Sequence, residues 1–165
     1  LHDALPISYE PEEKGVLIVY ASMYGNTEGA AQKLASRLCE TGMTNVRVCD
    51  VSTTHVSELI SLTFKYSHLV LASVTYNLGI YPVMLDFLEH MKALHVQNRT
   101  IAIMENGSWA VKSGDLIQQF VDNSLKNMLV LNERVTMASA LHADKETELN
   151  AMAQAIVDSL TETAK

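Results

Sequence analysis

Val16-Leu17-Ile18-Val19-Tyr20-Ala21-Ser22-Met23-Tyr24-Gly25-Asn26-Thr27-Glu28 decides how this chain folds. Its first six residues, Val16 to Ala21, form an unbroken apolar run of strand length. Ser22 to Thr27 is a short polar turn. Beyond it Ala31, Leu34, Ala35 and Leu38 recur at i, i+3, i+4 and i+7, which predicts a helix. A wholly apolar strand feeding a helix through a tight, hydroxyl-rich turn is half of a βαβ unit. Such a turn leaves unpaired N–H groups at the positive end of a helix dipole, which suits a phosphate.

The same alternation continues outward. Thr41-Gly42 stops the first helix. Val46, Val48 and Val51 predict a second strand. Ser52, Thr53 or Thr54 is expected to cap a helix carrying Val56, Leu59 and Ile60. His68 to Ser73 predicts a third strand, followed by a loop from Val74 to Tyr81. Pro82 suits a helix N1 position, and Met84, Phe87, Leu88 and Met91 share one face. Thr100 to Met104 predicts a fourth strand, Glu105 to Gly114 a loop, and Leu116 to Leu125 a helix. Met128 to Leu131 opens a fifth strand, continued by Val135 to Ala138 after a kink at Asn132-Glu133. Asp144 is expected to cap the last helix, with Leu149, Met152, Ile156, Val157 and Leu160. Buried strands alternating with helices mean a parallel sheet covered on both faces. Right-handed crossovers leave two common strand orders, the dinucleotide-binding one and 2-1-3-4-5. In both, ligands bind beyond the carboxyl ends of the strands, here at Ser22–Thr27, Val74–Tyr81 and Glu105–Gly114.

Bulk properties narrow the partners. A chain of 165 residues buries enough apolar surface to fold as one domain without staples. Leu1 to Ser8 has no period and no signal-peptide charge pattern; it reads as a translated adaptor remnant, with natural sequence expected to extend upstream. Residues 1–14 are thus expected to be a lead-in and 15–165 the domain. The net charge of −7 argues against nucleic acid or an anionic membrane as partner. Cys39 and Cys49 provide neither a disulfide framework nor a thiolate metal site, which fits a reducing, cytoplasmic compartment. The six histidines are scattered, and each reads as a surface or capping residue.

The phosphate ligand is narrowed by elimination. A triphosphate loop needs Gly-Lys-Ser/Thr at the helix start, but Asn26-Thr27 follows Gly25, and no Lys or Arg lies between Val16 and Gln32. A dinucleotide fingerprint needs three glycines, and Gly25 and Gly29 have the wrong spacing. Asp50 stands where such a fold places its ribose-binding acid, but on its own such a residue is more often a helix cap or turn residue. What remains is a monophosphate held by Ser22 and Thr27 hydroxyls and by the amides of Met23 to Thr27. The competing reading is an ordinary turn closed by a capping box ending in Glu28.

Ile18-Val-Tyr-x-Ser22-x-x-Gly25-x-Thr27-x-x-x-Ala31-x-x-Leu34 resembles the flavodoxin phosphate-loop signature. Ser22 to Glu28, Thr75-Tyr-Asn-x-Gly-Ile-Tyr-Pro82 and Gly107-Ser-Trp-Ala110 are similar to the flavodoxin domain of flavodiiron proteins, or A-type flavoproteins. The resemblance spans about Val16 to Leu160. Val74 departs from it, standing where that family more often has proline. It implies a three-layer α/β/α sandwich with a five-stranded parallel sheet in the order 2-1-3-4-5, and FMN as cofactor. The phosphate is then expected on Ser22, Met23, Tyr24, Gly25, Asn26 and Thr27. The ribityl chain and one ring edge are expected against Thr75, Tyr76, Asn77, Leu78 and Gly79, with Asn106, Gly107, Ser108, Trp109 and Ala110 on the opposite side. Tyr76 and Trp109 are the ring-neighbour candidates, and Gly79 the residue expected to tolerate either peptide orientation.

The resemblance implies no catalytic residue and no metal in this chain. The family's His-x-Glu-x-Asp iron-ligand string is absent. The expected role is electron transfer, from a rubredoxin-like or NADH-linked reductase donor to a metallo-β-lactamase-like diiron domain reducing O₂ or NO, in an assembly that allows a homo-oligomer. The competitors are a free-standing flavodoxin, an FMN-dependent quinone reductase and a flavin-free signalling domain. A receiver domain would need clustered acids after the first strand, and Tyr20-Ala21-Ser22 has none.

Overall fold

The computed structural model describes residues 9–23, 25–77, 79–107, 112–138 and 145–162. The elements run β1 (Glu13–Ala21), α1 (Asn26–Glu40), β2 (Val46–Asp50), α2 (Val56–Lys65), β3 (Tyr66–Tyr76), β4 (Gly79–Ile80), α3 (Pro82–Ala93), β5 (Thr100–Asn106), α4 (Ser113–Ser124), β6 (Leu129–Met137) and α5 (Glu146–Glu162). The five long strands lie parallel in the order β2-β1-β3-β5-β6, and the two-residue β4 pairs antiparallel with the end of β3. Counting the parallel strands alone, this is the 2-1-3-4-5 order.

Alternation along the strands builds two cores. Leu17, Val19, Leu69, Leu71, Ile101 and Ile103 pack under Leu59, Phe87, Leu88, Ile117 and Val121 of α2, α3 and α4. Val16, Ile18, Val70, Ala72, Ala102 and Met104 face Leu34 and Leu38 of α1 and Met152 and Ile156 of α5. Each such large side chain contributes about 1.5–3 kcal/mol when fully buried. The middle stretches of β1, β3 and β5 are therefore apolar, because both faces are covered.

Several expectations are corrected. β3 runs on to Tyr76 and β5 to Asn106, past the apolar runs that mark them in the sequence. The segment expected as a loop from Val74 to Tyr81 contains a hairpin instead, with Thr75 opposite Ile80 and Tyr76 opposite Gly79. Asn77 makes the turn at φ 49°, a left-handed conformation that Asn tolerates. The expected kink at Asn132-Glu133 is a bulge within one strand: Ile101 pairs with Val130, but Ile103 pairs with Arg134. The α2 cap is His55, whose ring nitrogen accepts from the Ser57 amide at 3.1 Å, rather than Ser52, Thr53 or Thr54. Asp50 is a turn residue, accepting from the Ser52 amide at 2.8 Å. Asp144, the expected cap of α5, lies outside the described residues.

His68 is not a surface residue. It is 2% exposed at the start of β3, with Nδ1 2.7 Å from the Ser67 hydroxyl and Nε2 3.0 Å from that of Ser159 in α5. Two hydroxyls satisfy a neutral ring, and burial pulls its pKa down to about 4. Arg99 is also 2% exposed and is held by backbone carbonyls. It donates to Thr63 and Phe64 at the end of α2 at 2.9 and 3.0 Å, and to Tyr9 before β1 at 2.7 Å. The segment preceding β1 is thereby strapped across the amino end of the sheet. No helix among the described residues is long and apolar enough to cross a membrane.

Candidate functional site

Every helix begins near the carboxyl edge of the sheet, so each N-terminus is a candidate anion site. Side chains occupy or disfavour most of them. His55 caps α2. α3 starts with Pro82, which has no N–H to offer. The first turn of α5 carries Glu146 and Glu148, and Glu148 accepts from the Thr136 amide. At α4 the Thr75 hydroxyl accepts from the Lys112 and Ser113 amides, both at 3.1 Å, and the Glu105 carboxylate accepts from Gly114 at 2.7 Å.

The start of α1 differs. Its N-cap, Gly25, has no side-chain cap and sits at φ 85°. A Cβ there would meet nothing within 4 Å, so the requirement is backbone conformation rather than space. Ser22 Oγ accepts from the Gly25 amide at 3.0 Å and shapes the turn. The first amide bonded back into the helix is that of Gly29, to Gly25 O at 2.9 Å. The N–H groups of Asn26, Thr27 and Glu28 come before it and point out of the helix end. The capping box that would have closed this turn is therefore not formed. Glu28 instead lies near the Tyr20 phenol. Burial, together with the Asp50 and Glu28 carboxylates, pushes that phenol up to about 12.

A cleft of about 380 Å³ opens in front of this helix end, lined by Ser22, Met23, Asn26, Thr27, Val74, Thr75, Tyr76, Asn77, Asn106 and Gly107. No lysine, arginine, histidine, cysteine or carboxylate is among these residues. Thr27 is buried, and Asn106 Nδ2 donates to its Oγ1 at 3.4 Å, which leaves the hydroxyl proton to donate. At the wider end Tyr76 is 42% exposed and meets Tyr81 edge-on, with centroids 5.7 Å apart. Met23 is exposed nearby. Such a cleft offers neutral donors at one end and apolar, aromatic surface at the other. Its chemistry suits holding an anion and a flat ring.

Described residues from all three segments expected at the site line this cleft. Gly25 and Gly79 stand just behind the lining, at the α1 N-cap and opposite Tyr76 in the hairpin. Gly79 does not carry the unusual backbone conformation of the turn, which falls on Asn77. Tyr24, Leu78, Ser108, Trp109 and Ala110 lie outside the described residues. Val74 lines the cleft without having been singled out as a site residue; its signal was its position one residue past the apolar run of β3. Among the described residues no three His, Cys, Asp or Glu side chains gather as a metal site.

A sequence profile of the family described as flavodoxin matches residues 18–150. The rubredoxin-oxygen oxidoreductase of Megalodesulfovibrio gigas is 28% identical over 145 residues, covering 88% of this chain but 35% of that protein. This chain therefore spans about a third of the length of that relative. The solved rubredoxin oxygen:oxidoreductase of Desulfovibrio gigas superposes with a TM-score of 0.83 at 25% identity, over 93% of this chain and 37% of its own. Oxidised flavodoxin 1 of Bacillus cereus superposes at 0.73 with 19% identity, over 88% of this chain and 98% of its own.

Proposed function

Because this chain belongs to the flavodoxin family, we propose that it is an FMN-binding electron-transfer module whose cleft takes the cofactor phosphate at the start of α1. The observation that carries this reading is the contrast between helix ends: α1 alone among α1 to α4 combines an N–H at its first position with a first turn that no side chain caps. The donor set fits FMN. The Thr27 hydroxyl and the amides of Asn26 to Glu28 would hold the phosphate. The hairpin carrying Thr75, Tyr76 and Asn77 would flank the ribityl chain and ring, with Asn106 and Gly107 across from it. FMN, when bound, supplies one- and two-electron transfer. The protein's share is to bind the ring, orient it and keep water from part of it.

At the level of the parent protein, the reading we favour is the flavodoxin domain of a flavodiiron oxygen or nitric oxide reductase. It would receive electrons from a rubredoxin-like or NADH-linked donor and serve a diiron site on another domain. Support comes from the match to about a third of rubredoxin-oxygen oxidoreductase and from the Ser22–Glu28 and Thr75–Pro82 loops. Residues 15–165 would then be the bulk of the flavin unit, whose β1 already begins at Glu13, with Tyr9–Glu12 as the strapped approach to it. A free-standing flavodoxin is the second reading, supported by superposition over 98% of the length of a free flavodoxin. Purifying the product of the complete gene discriminates the two. About two irons and a chain over twice this length support the first; an iron-free chain of this size supports the second. The module itself is tested by titrating flavin-free protein with FMN: saturable one-to-one uptake supports it, and a protein that takes up no FMN overturns it.

A further inference from the structure

Glu105 is a buried carboxylate to which the binding reading assigns no role. It is 5% exposed, precedes Asn106 of the cleft in β5 and pairs in register with Ser73. Both oxygens are engaged. The Gly114 amide donates to Oε2 at 2.7 Å, and the Thr136 hydroxyl donates to Oε1 at 2.8 Å. Arg134 Nη1 stands 3.7 Å from Oε1, but the same nitrogen is 2.7 Å from Asp115, so one cation is shared between two carboxylates. All these neighbours are donors, the surroundings of an acceptor-only ion. The fit is close: a Cβ on Gly114 would come within 2.2 Å of Oε2.

The contact continues into the cleft. Directly before Gly114, the Lys112 and Ser113 amides donate to Thr75 Oγ1, and the Ser113 hydroxyl donates to Ser73 O at 3.3 Å. Thr75 lines the cleft and pairs with Ile80 to close the hairpin that carries Tyr76 and Asn77. A chain of hydrogen bonds thus runs from Glu105 through the first turn of α4 to the cleft wall. The phosphate end lies on the other face of β5, where Asn106 meets Thr27.

We infer that Glu105 is a positioning residue: by clamping the first turn of α4 and, through Thr75, the β3–β4 hairpin, it sets the grip on the flavin ring without acting at the phosphate. This rests on the cleft being the FMN site. The test uses Glu105→Gln, which keeps the size but loses an acceptor. Thr75→Val cuts the same chain in the middle and stands in if the first variant folds poorly. In flavin-free protein, amide hydrogen exchange is expected to quicken at Gly114 and across the Thr75–Ile80 hairpin. In titrations, affinity for FMN and for riboflavin is expected to fall by the same factor, about tenfold, whereas Thr27→Val weakens FMN alone. Unchanged hairpin exchange, a loss confined to FMN, or a lower melting temperature with both affinities intact would overturn the inference. If the wild type takes up neither flavin, the reading of the site fails, and the inference about ring grip falls with it; the exchange data still report separately whether Glu105 braces the hairpin.

Discussion

Thr27→Val removes one hydroxyl and leaves the side-chain shape in place. Thr27 is 1% exposed in the first turn of α1, and its oxygen already accepts from Asn106 Nδ2 at 3.4 Å. On the proposed reading, its proton is the part that meets the phosphate. A hydrogen bond to a charged acceptor is worth about 1.5–3 kcal/mol. Losing it weakens FMN binding by roughly 10- to 150-fold. The cost to the fold is small, because a 3.4 Å contact is at the long limit for a hydrogen bond and valine refills the space. The assay is fluorescence quenching of FMN, and separately of riboflavin, by flavin-free protein, with a thermal melt to confirm folding. Riboflavin has no phosphate, so its affinity stays within about twofold of wild type. An unchanged FMN affinity, or equal losses for both ligands, refutes the assignment of the phosphate to α1.

Three further outcomes follow from the same structure. His68 is neutral when folded, with a pKa of about 4 against about 6.5 unfolded. Its contribution is intact above about pH 6.5 and is lost as pH falls toward 4, by up to about 3 kcal/mol; urea midpoints should drop between pH 7 and 5, and less steeply in His68→Gln. Gly25→Ala meets no clash but forces a side chain to φ 85°, so it should lower stability by about 1–2 kcal/mol, read as a shifted denaturation midpoint. Arg99→Met strips the donors from the Tyr9, Thr63 and Phe64 carbonyls, at about 1 kcal/mol each, and should speed proteolysis within Tyr9–Lys14; an unchanged cleavage rate would contradict the strap.

Local pattern carried much of the architecture, because strands buried on both faces must be apolar in sequence. It failed where chemistry is long-range. β3 and β5 end in Val74-Thr75-Tyr76 and Glu105-Asn106, polar enough to read as loop, since pairing with the neighbouring strand, rather than burial of apolar surface, extends them. His68 reads as a surface residue because one of the hydroxyls that make its burial tolerable lies on Ser159, 91 residues away. The convergence of Ser22, Met23, Asn26 and Thr27 with Thr75–Asn77 and Asn106–Gly107 on one cleft was legible, because a parallel sheet puts every strand's carboxyl end on the same edge. The sealing of α4 was not, because Thr75 and Glu105 reach its amides from two other strands.

The most direct test is an amide NMR titration of the flavin-free protein with FMN. Large shifts are expected for Gly25 to Glu28, for Tyr76 and Asn77 and for Asn106 and Gly107, with Ser67, His68 and Ser159 at the opposite end of the sheet unmoved. Shifts centred on that opposite end, or on the groove between α3 and α4 around Ile80, Leu85 and Phe120, would contradict that expectation.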